Sequence, residues 1–134
     1  MLVPFQAAKD LAIAKKLHQA LPETSQIISL QDPRELKGLF QHVSMTIGMR
    51  LHSLIMAAAE QSACFALSYD PKVSQLMMAY EFPGWEMAEI PNSVEIITNV
   101  WIEHFNKANF LKIDSIKTIK SQALTHQKLL SKFL

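Results

Sequence analysis

Arg50 and His52 stand two residues apart in TIGMRLHSLIMAAAEQ, residues 46–61, a stretch that is otherwise almost wholly apolar. Buried cationic and imidazole groups cost free energy unless they are paired. The two side chains therefore either find partners within the fold or meet something the fold is built to hold. Gly48 just before them removes a Cβ where the chain must turn sharply or let a ligand approach the backbone. A helix starting after it offers unpaired N–H groups and a positive dipole end, a natural anion site. Arg50 in that first turn would be repelled by the dipole unless an anion sits there. His52 lies off the stripe Leu51, Leu54, Ile55 and Ala58 that the helix would bury, within reach of the same anion, and an imidazole can move protons near neutrality. Anion binding beside proton transfer is the chemistry such a pair could perform. The plainer alternative is a solvated or ion-paired Arg50, with Asp70 as partner, and a hydrogen-bonded structural His52.

Those residues need a frame, and the chain supplies an alternation of short apolar runs and helical patterns. MLVPF opens as a strand halted by Pro4, and residues 8–20 carry Ile13, Leu17 and Ala20, with Leu21 just beyond, at helical spacing. QIISL reads as a second strand, DPRELKGLFQH as a helix with an Asp-Pro start, VSMTIG as a third strand and residues 49–61 as a helix. CFALSY is a fourth strand, broken by Asp70-Pro71, which reads as a turn, and a helix covers about 72–80. Strands alternating with helices predict parallel βαβ units with helices on both faces, an α/β Rossmann-like sheet over a single domain, residues 1–134. Residues 81–91 form a loop or short strand. Asn92 and Glu95 suggest a capping box for a helix with Ile97, Trp101 and Phe105 on one stripe. A second amphipathic helix follows over about 110–133, with Ile113, Ile116, Ile119, Ala123, Leu130 and Phe133 as its stripe.

In open parallel sheets, ligands bind beyond the carboxyl ends of the strands. Three turns of this kind are expected on one rim. PFQAAKD gives Gln6, Lys9 and Asp10; IGMRLH gives Gly48, Arg50 and His52; SYDPK gives Ser68, Tyr69, Asp70 and Lys72.

Composition excludes several classes. The 134 residues are 49% hydrophobic and 19% charged, with a net charge of +1, which is globular and lacks the basic excess of a nucleic-acid binder. The single Cys64 sits in an apolar run and reads as a core residue of a reducing, cytoplasmic compartment. No run approaches the length of a membrane span. The five histidines show no metal-ligand spacing, and no metal or cofactor is expected. Trp85 and Trp101 read as core or domain-interface residues and the methionines as core filling. Neither GxGxxG, Walker A nor a nucleophile elbow occurs.

IGMRLHSLI followed by ALSYDPKV resembles the polysaccharide pyruvyl transferase family, and more narrowly the branch that pyruvylates the cell-wall polysaccharide used to anchor surface-layer proteins. VPFQAAKD is similar to the family's preceding strand-loop segment. The resemblance covers about residues 2–80, and QSACF stands where the family usually has Gly-x-Pro. It implies two Rossmann-like domains facing each other across a cleft, as in GT-B glycosyltransferases, with this chain as the C-terminal half. It also implies a transfer of pyruvate from phosphoenolpyruvate onto two hydroxyls of a sugar, giving a cyclic ketal and releasing phosphate. The acceptor would be a glycan or a lipid-linked sugar. Arg50, Lys72 and the helix start after Gly48 would then hold the phosphate and carboxylate. His52 corresponds to the histidine of the family's RLH motif, taken as the catalytic acid or base, with Arg50 beside it. Gln6, Asp10, Ser68, Tyr69 and Asp70 would complete the substrate contacts.

About forty residues of helix at the end of the chain, more than a four-strand sheet needs, and the direct entry on a strand suggest a fragment. The surplus helix over 92–134 would pack on a missing N-terminal domain or on a second copy, and the chain alone would fold without transferring pyruvate, because half a cleft cannot hold both reactants in register. Two other readings stay open: the nucleotide-sugar-binding half of another GT-B glycosyltransferase or a sugar epimerase, and an inactive truncated domain.

Overall fold

Pro4 decides how far the first paired segment runs. The computed structural model describes residues 1–107, so the helix expected over about 110–133 lies outside the described residues. The chain divides into two compact units, Met1–Leu39 and a second beginning at Phe40. In the first, the two expected strands meet only in a single parallel bridge, Leu2 with Ile27. The Leu2 amide donates to Gln26 O at 2.8 Å, and the Ile28 amide donates to Leu2 O at 2.9 Å. The next rung of a parallel ladder would need an amide hydrogen from residue 4, and proline has none.

Helix α1 (Ala7–Ala20) follows. Its apolar stripe faces outward: Ile13 is 54%, Leu17 46% and the adjoining Leu21 54% exposed, while Ala14 is the buried residue. Periodicity predicted the helix correctly, but the small Ala14 side chain marks the face that is covered. Beyond its end, Ser25 Oγ donates to Leu21 O at 2.6 Å and lies 2.8 Å from His18 Nδ1. Helix α2 (Pro33–Gln41) starts as the Asp-Pro pair predicts. Asp32 Oδ1 accepts the Arg34 amide at 2.8 Å and its carboxylate pairs with the Arg34 guanidinium, which holds the Asp32 pKa below the usual carboxylate range.

The second unit is built on three parallel strands in the order β1-β2-β3: β1 (Met45–Gly48), β2 (Ala63–Ser68) and β3 (Gly84–Glu86). Helices α3 (Leu51–Ala59) and α4 (Pro71–Tyr80) are the crossovers between them. A 3-10 turn (Met87–Glu89) and α5 (Val94–Lys107) follow. The segment that read as a loop or short strand is thus a strand. Gly84 makes the pairing possible: a Cβ there would come within 2.4 Å of Ala66 O on the neighbouring strand. The cap of α5 is one residue later than the sequence suggested, since the Ile96 amide donates to Ser93 Oγ at 3.4 Å and the Ile97 amide to Ser93 O at 3.1 Å.

Side chains alternate across the sheet, and the two faces of β2 differ in character. Cys64, Ala66 and Ser68 turn toward α3 and α4. Cys64 Sγ lies 3.8 Å from Leu54 O, and Ser68 Oγ lies 2.7 Å from Ser74 Oγ on α4. Small residues on this face let Leu54 and Ala57 reach full burial, with Val73 at 1%. Burial pushes the Cys64 thiol up to about 12, so it is an inert core group. Phe65 points the other way, into an aromatic cluster with Trp85 of β3 and Trp101 and His104 of α5. The inner stripe of α5 therefore includes Trp101 and His104, whereas Phe105, expected on it, is 50% exposed.

Trp101 Nε1 and His104 Nε2 are enclosed without a hydrogen-bond partner among the described residues. Burial lowers the His104 pKa, against a hydrogen bond with the Cys64 backbone that raises it. The neighbouring charges Glu103 and Lys107 pair with each other. The unfolded chain therefore binds this proton more tightly than the folded one. The stability contribution is complete above the ordinary histidine value of about 6.5 and is lost as pH falls through it toward the lower folded value. We expect the urea midpoint to drop between about pH 7 and pH 5, and His104→Gln to flatten that slope. An identical pH profile in the variant would refute the assignment.

Candidate functional site

Because β1, β2 and β3 run parallel with Gly48 level with Ala66 and Ser68 level with Glu86, their carboxyl ends share one rim. Helices α3 and α4 both begin there, so two positive dipole ends lie on it, with the first amides of α3 unpaired and those of α4 capped by Asp70.

The first turn is held from beneath. Gly48 is buried, and a Cβ on it would stand 2.8 Å from Leu54 Cδ2 and 3.2 Å from Ser53 Oγ. Its φ is not positive, as for every glycine among the described residues. The glycine is required by the close seating of α3 against the strand end, not by a left-handed turn or by a ligand at that Cβ position. This seating also rotates the buried stripe of α3 to Ser53, Leu54, Ala57 and Ala58, leaving Leu51 and Ile55 half-buried.

Arg50 is the N-cap of α3 in extended backbone, φ −106° and ψ 129°. Its carbonyl accepts Ser53 Oγ at 2.7 Å and the Leu54 amide at 3.1 Å. Its guanidinium crosses from the end of β1 to the end of β2, where Nη1 donates to the Tyr69 hydroxyl. The guanidinium carbon lies 5.7 Å from the Tyr69 ring centroid. His52, the second residue of α3, is exposed, and its imidazole makes no hydrogen bond among the described residues.

The second turn is built from inside. Ser68 is 1% exposed, and its hydroxyl donates to Asp70 O at 3.2 Å and meets Ser74 Oγ. Asp70 is the N-cap of α4: Oδ1 accepts the Lys72 amide at 2.9 Å, with Pro71 at the first helical position. Where the sequence left Asp70 open as a partner for Arg50, the structure gives Arg50 the Tyr69 hydroxyl and gives Asp70 the helix terminus. Lys72 is exposed in the first turn of α4.

Neither α3 nor α4 has an acidic residue in its first turn, whereas α1, α2 and α5 carry Asp10, Glu35 and Glu95 there. Acids normally favour that position. Arg50 and His52 therefore sit at a helix start with no acid beside it, whereas Lys72 sits at one capped by the Asp70 carboxylate. On the β3 side the rim turns acidic, with Glu86 and Glu89. Gln6 and Asp10 belong to the first unit, where the Gln6 amide donates to Asp10 Oδ2 at 2.8 Å. No cluster of three His, Cys, Asp or Glu side chains able to hold a metal occurs among the described residues.

The structure thus brings Gly48, Arg50, His52, Ser68, Tyr69, Asp70 and Lys72 to one rim, with Ser68 and Asp70 engaged inside the fold. The Arg50–Tyr69 contact has no local sequence signal, because its partners are 19 residues apart.

The family model of polysaccharide pyruvyl transferase matches residues 2–71. That span includes both rim turns up to Pro71 and ends one residue before Lys72. No curated protein and no solved structure matches the chain.

Proposed function

Since the chain belongs to the polysaccharide pyruvyl transferase family, a group of transferases acting on sugar acceptors, we propose that its rim grips phosphoenolpyruvate for transfer of pyruvate to a sugar as a cyclic ketal. The observation that carries this reading is the Arg50 guanidinium lying across two strand ends, at the start of α3, which has no acid in its first turn. Phosphoenolpyruvate brings a phosphate and a carboxylate, which call for clustered cations and backbone donors. Arg50, Lys72 and the first amides of α3 are suited to supply them. The reaction protonates C3 of the donor, adds one sugar hydroxyl to C2, expels phosphate and closes the ring with a second hydroxyl, each hydroxyl giving up its proton. His52 is the group placed to carry protons in this sequence, with Ser68 and Asp70 holding the α4 turn in register.

The reading extends to the whole enzyme: a cytoplasmic GT-B-like pair of Rossmann-like domains, this chain being the C-terminal one, acting on a cell-wall polysaccharide or its lipid-linked precursor. The parallel sheet with its flanking helices is compatible with that architecture. No helix among the described residues is long and apolar enough to cross a membrane.

Titration of the 134-residue chain, followed by amide NMR, tests the proposal. Phosphoenolpyruvate should saturate and shift the signals of Arg50, His52 and Lys72, and uridine diphosphate should leave them in place. The reverse pattern would replace this reading with a nucleotide-sugar site.

A further inference from the structure

Helix α1 turns apolar side chains and lysines to solvent together. Its covered side carries Ala14, buried, with Leu11 and His18 half-buried. The one acid in the helix, Asp10, is also half-buried, and its carboxylate takes the Gln6 amide at 2.8 Å. On the opposite side Lys9, Ile13 and Lys16 follow at i, i+4 and i+7, all exposed. Leu17 and Leu21 flank that line on one side and Lys15 on the other, and these are exposed too. Gln19 is the one other polar residue exposed on the helix, and no acid is; the nearest exposed acid, Glu23, stands past Pro22. The three ammonium groups make no ion pair or hydrogen bond among the described residues.

We propose that this face of α1 docks on an anionic bilayer surface. Ile13, Leu17 and Leu21 would seat at the boundary of headgroups and acyl chains, with Lys9, Lys15 and Lys16 among the lipid phosphates. A helix side that meets only water carries polar residues, and an exposed apolar patch marks a contact. The charge on this face selects the occupant. Lysine is depleted at the core of protein–protein interfaces. A second copy of the same face would set lysine against lysine with no exposed acid between them. A layer of anionic headgroups accepts both kinds of side chain at once. Lysine stems lie along the apolar surface while their ammonium groups reach the phosphates, and aliphatic residues enter between them. The proposal draws on none of the residues proposed to hold phosphoenolpyruvate.

The test is co-sedimentation of the full chain with vesicles. It should sediment with vesicles of mixed phosphatidylglycerol and phosphatidylcholine, stay in solution with phosphatidylcholine alone, and be released at about 0.5 M salt, where charges are screened within a few ångströms. Lys9→Gln, Lys15→Gln and Lys16→Gln together should weaken binding about 100-fold, at about fivefold for each lysine near an anionic surface. Ile13→Ser with Leu17→Ser should weaken it about tenfold, and both sets alter only exposed side chains. Lys107→Gln, an equal charge change at the exposed end of α5, should bind as the wild type does. No binding to phosphatidylglycerol vesicles would overturn the proposal. So would equal losses from Lys16→Gln and Lys107→Gln, which would reduce the effect to overall charge. A dimer in analytical ultracentrifugation that Ile13→Ser with Leu17→Ser dissolves would also overturn it and give the face to a second copy.

Discussion

Replacing His52 with glutamine in an active enzyme containing this chain is expected to lower turnover by about 100- to 10,000-fold, the usual range for a lost acid or base. Phosphoenolpyruvate affinity should stay within a few fold, because glutamine keeps a polar group of similar reach but cannot carry a proton near neutral pH. His52 is exposed at the second position of α3, outside the buried set Ser53, Leu54, Ala57 and Ala58, so the fold has no packing reason to suffer. Arg50→Ala is the companion measurement. It should weaken phosphoenolpyruvate by about 1.5 to 3 kcal/mol, the worth of a charge-assisted hydrogen bond. Steady-state kinetics across a donor series separate the two effects, one in kcat and the other in KM. If His52→Gln instead loses its fold while Arg50→Ala changes nothing, both residues are architectural and the proposed chemistry is wrong.

How much of this was legible in the sequence depends on whether the deciding contact was local. The Asp-Pro pairs show the point. Asp32-Pro33 reads as a helix start and the same dipeptide at Asp70-Pro71 reads as a turn, yet both acids accept the amide two residues on. The local chemistry was identical; only the preceding strand disguised it. Pro4 likewise announced a stop, and it ends the first parallel pairing at one bridge for want of an amide hydrogen.

What the sequence could not give was set by neighbours distant along the chain. Gly48 signalled a missing Cβ, but that its space is taken by Leu54 depends on how α3 seats under the strand. Periodicity located α1 without saying that Ile13 and Leu17 face outward. Gly84 looked like part of a loop until its approach to Ala66 made it the condition for a third strand. The Arg50–Tyr69 contact is the same case on the candidate site, since Arg50 and Tyr69 were each legible as rim residues but their meeting was not.

Phe65→Ala should produce the largest loss of stability expected for this chain, about 3 to 5 kcal/mol, the range for truncating a buried aromatic side chain. Phe65 is 3% exposed at the centre of β2. Its ring meets Trp85 edge-on at 4.8 Å, Trp101 at 6.3 Å and His104 at 5.7 Å. One side chain therefore ties the central strand to β3 and to α5, and edge-to-face pairs add about 0.5 to 1.5 kcal/mol beyond the area they bury. A small domain has only about 5 to 15 kcal/mol in all, so the variant should sit near its unfolding threshold. Urea denaturation followed by tryptophan fluorescence reads it directly, because Trp85 and Trp101 report from the cluster itself. Phe65→Leu, which keeps much of the volume, should recover most of the loss. The effect should also be confined in kind. On the opposite face of the sheet, Gly48, Leu54 and Ser68 set the rim turns through their own contacts, so where Phe65→Leu remains folded its anion affinity should match the wild type. A loss below about 1 kcal/mol for Phe65→Ala, the level of ordinary surface changes, would mean that α5 is not seated on β2 through this ring.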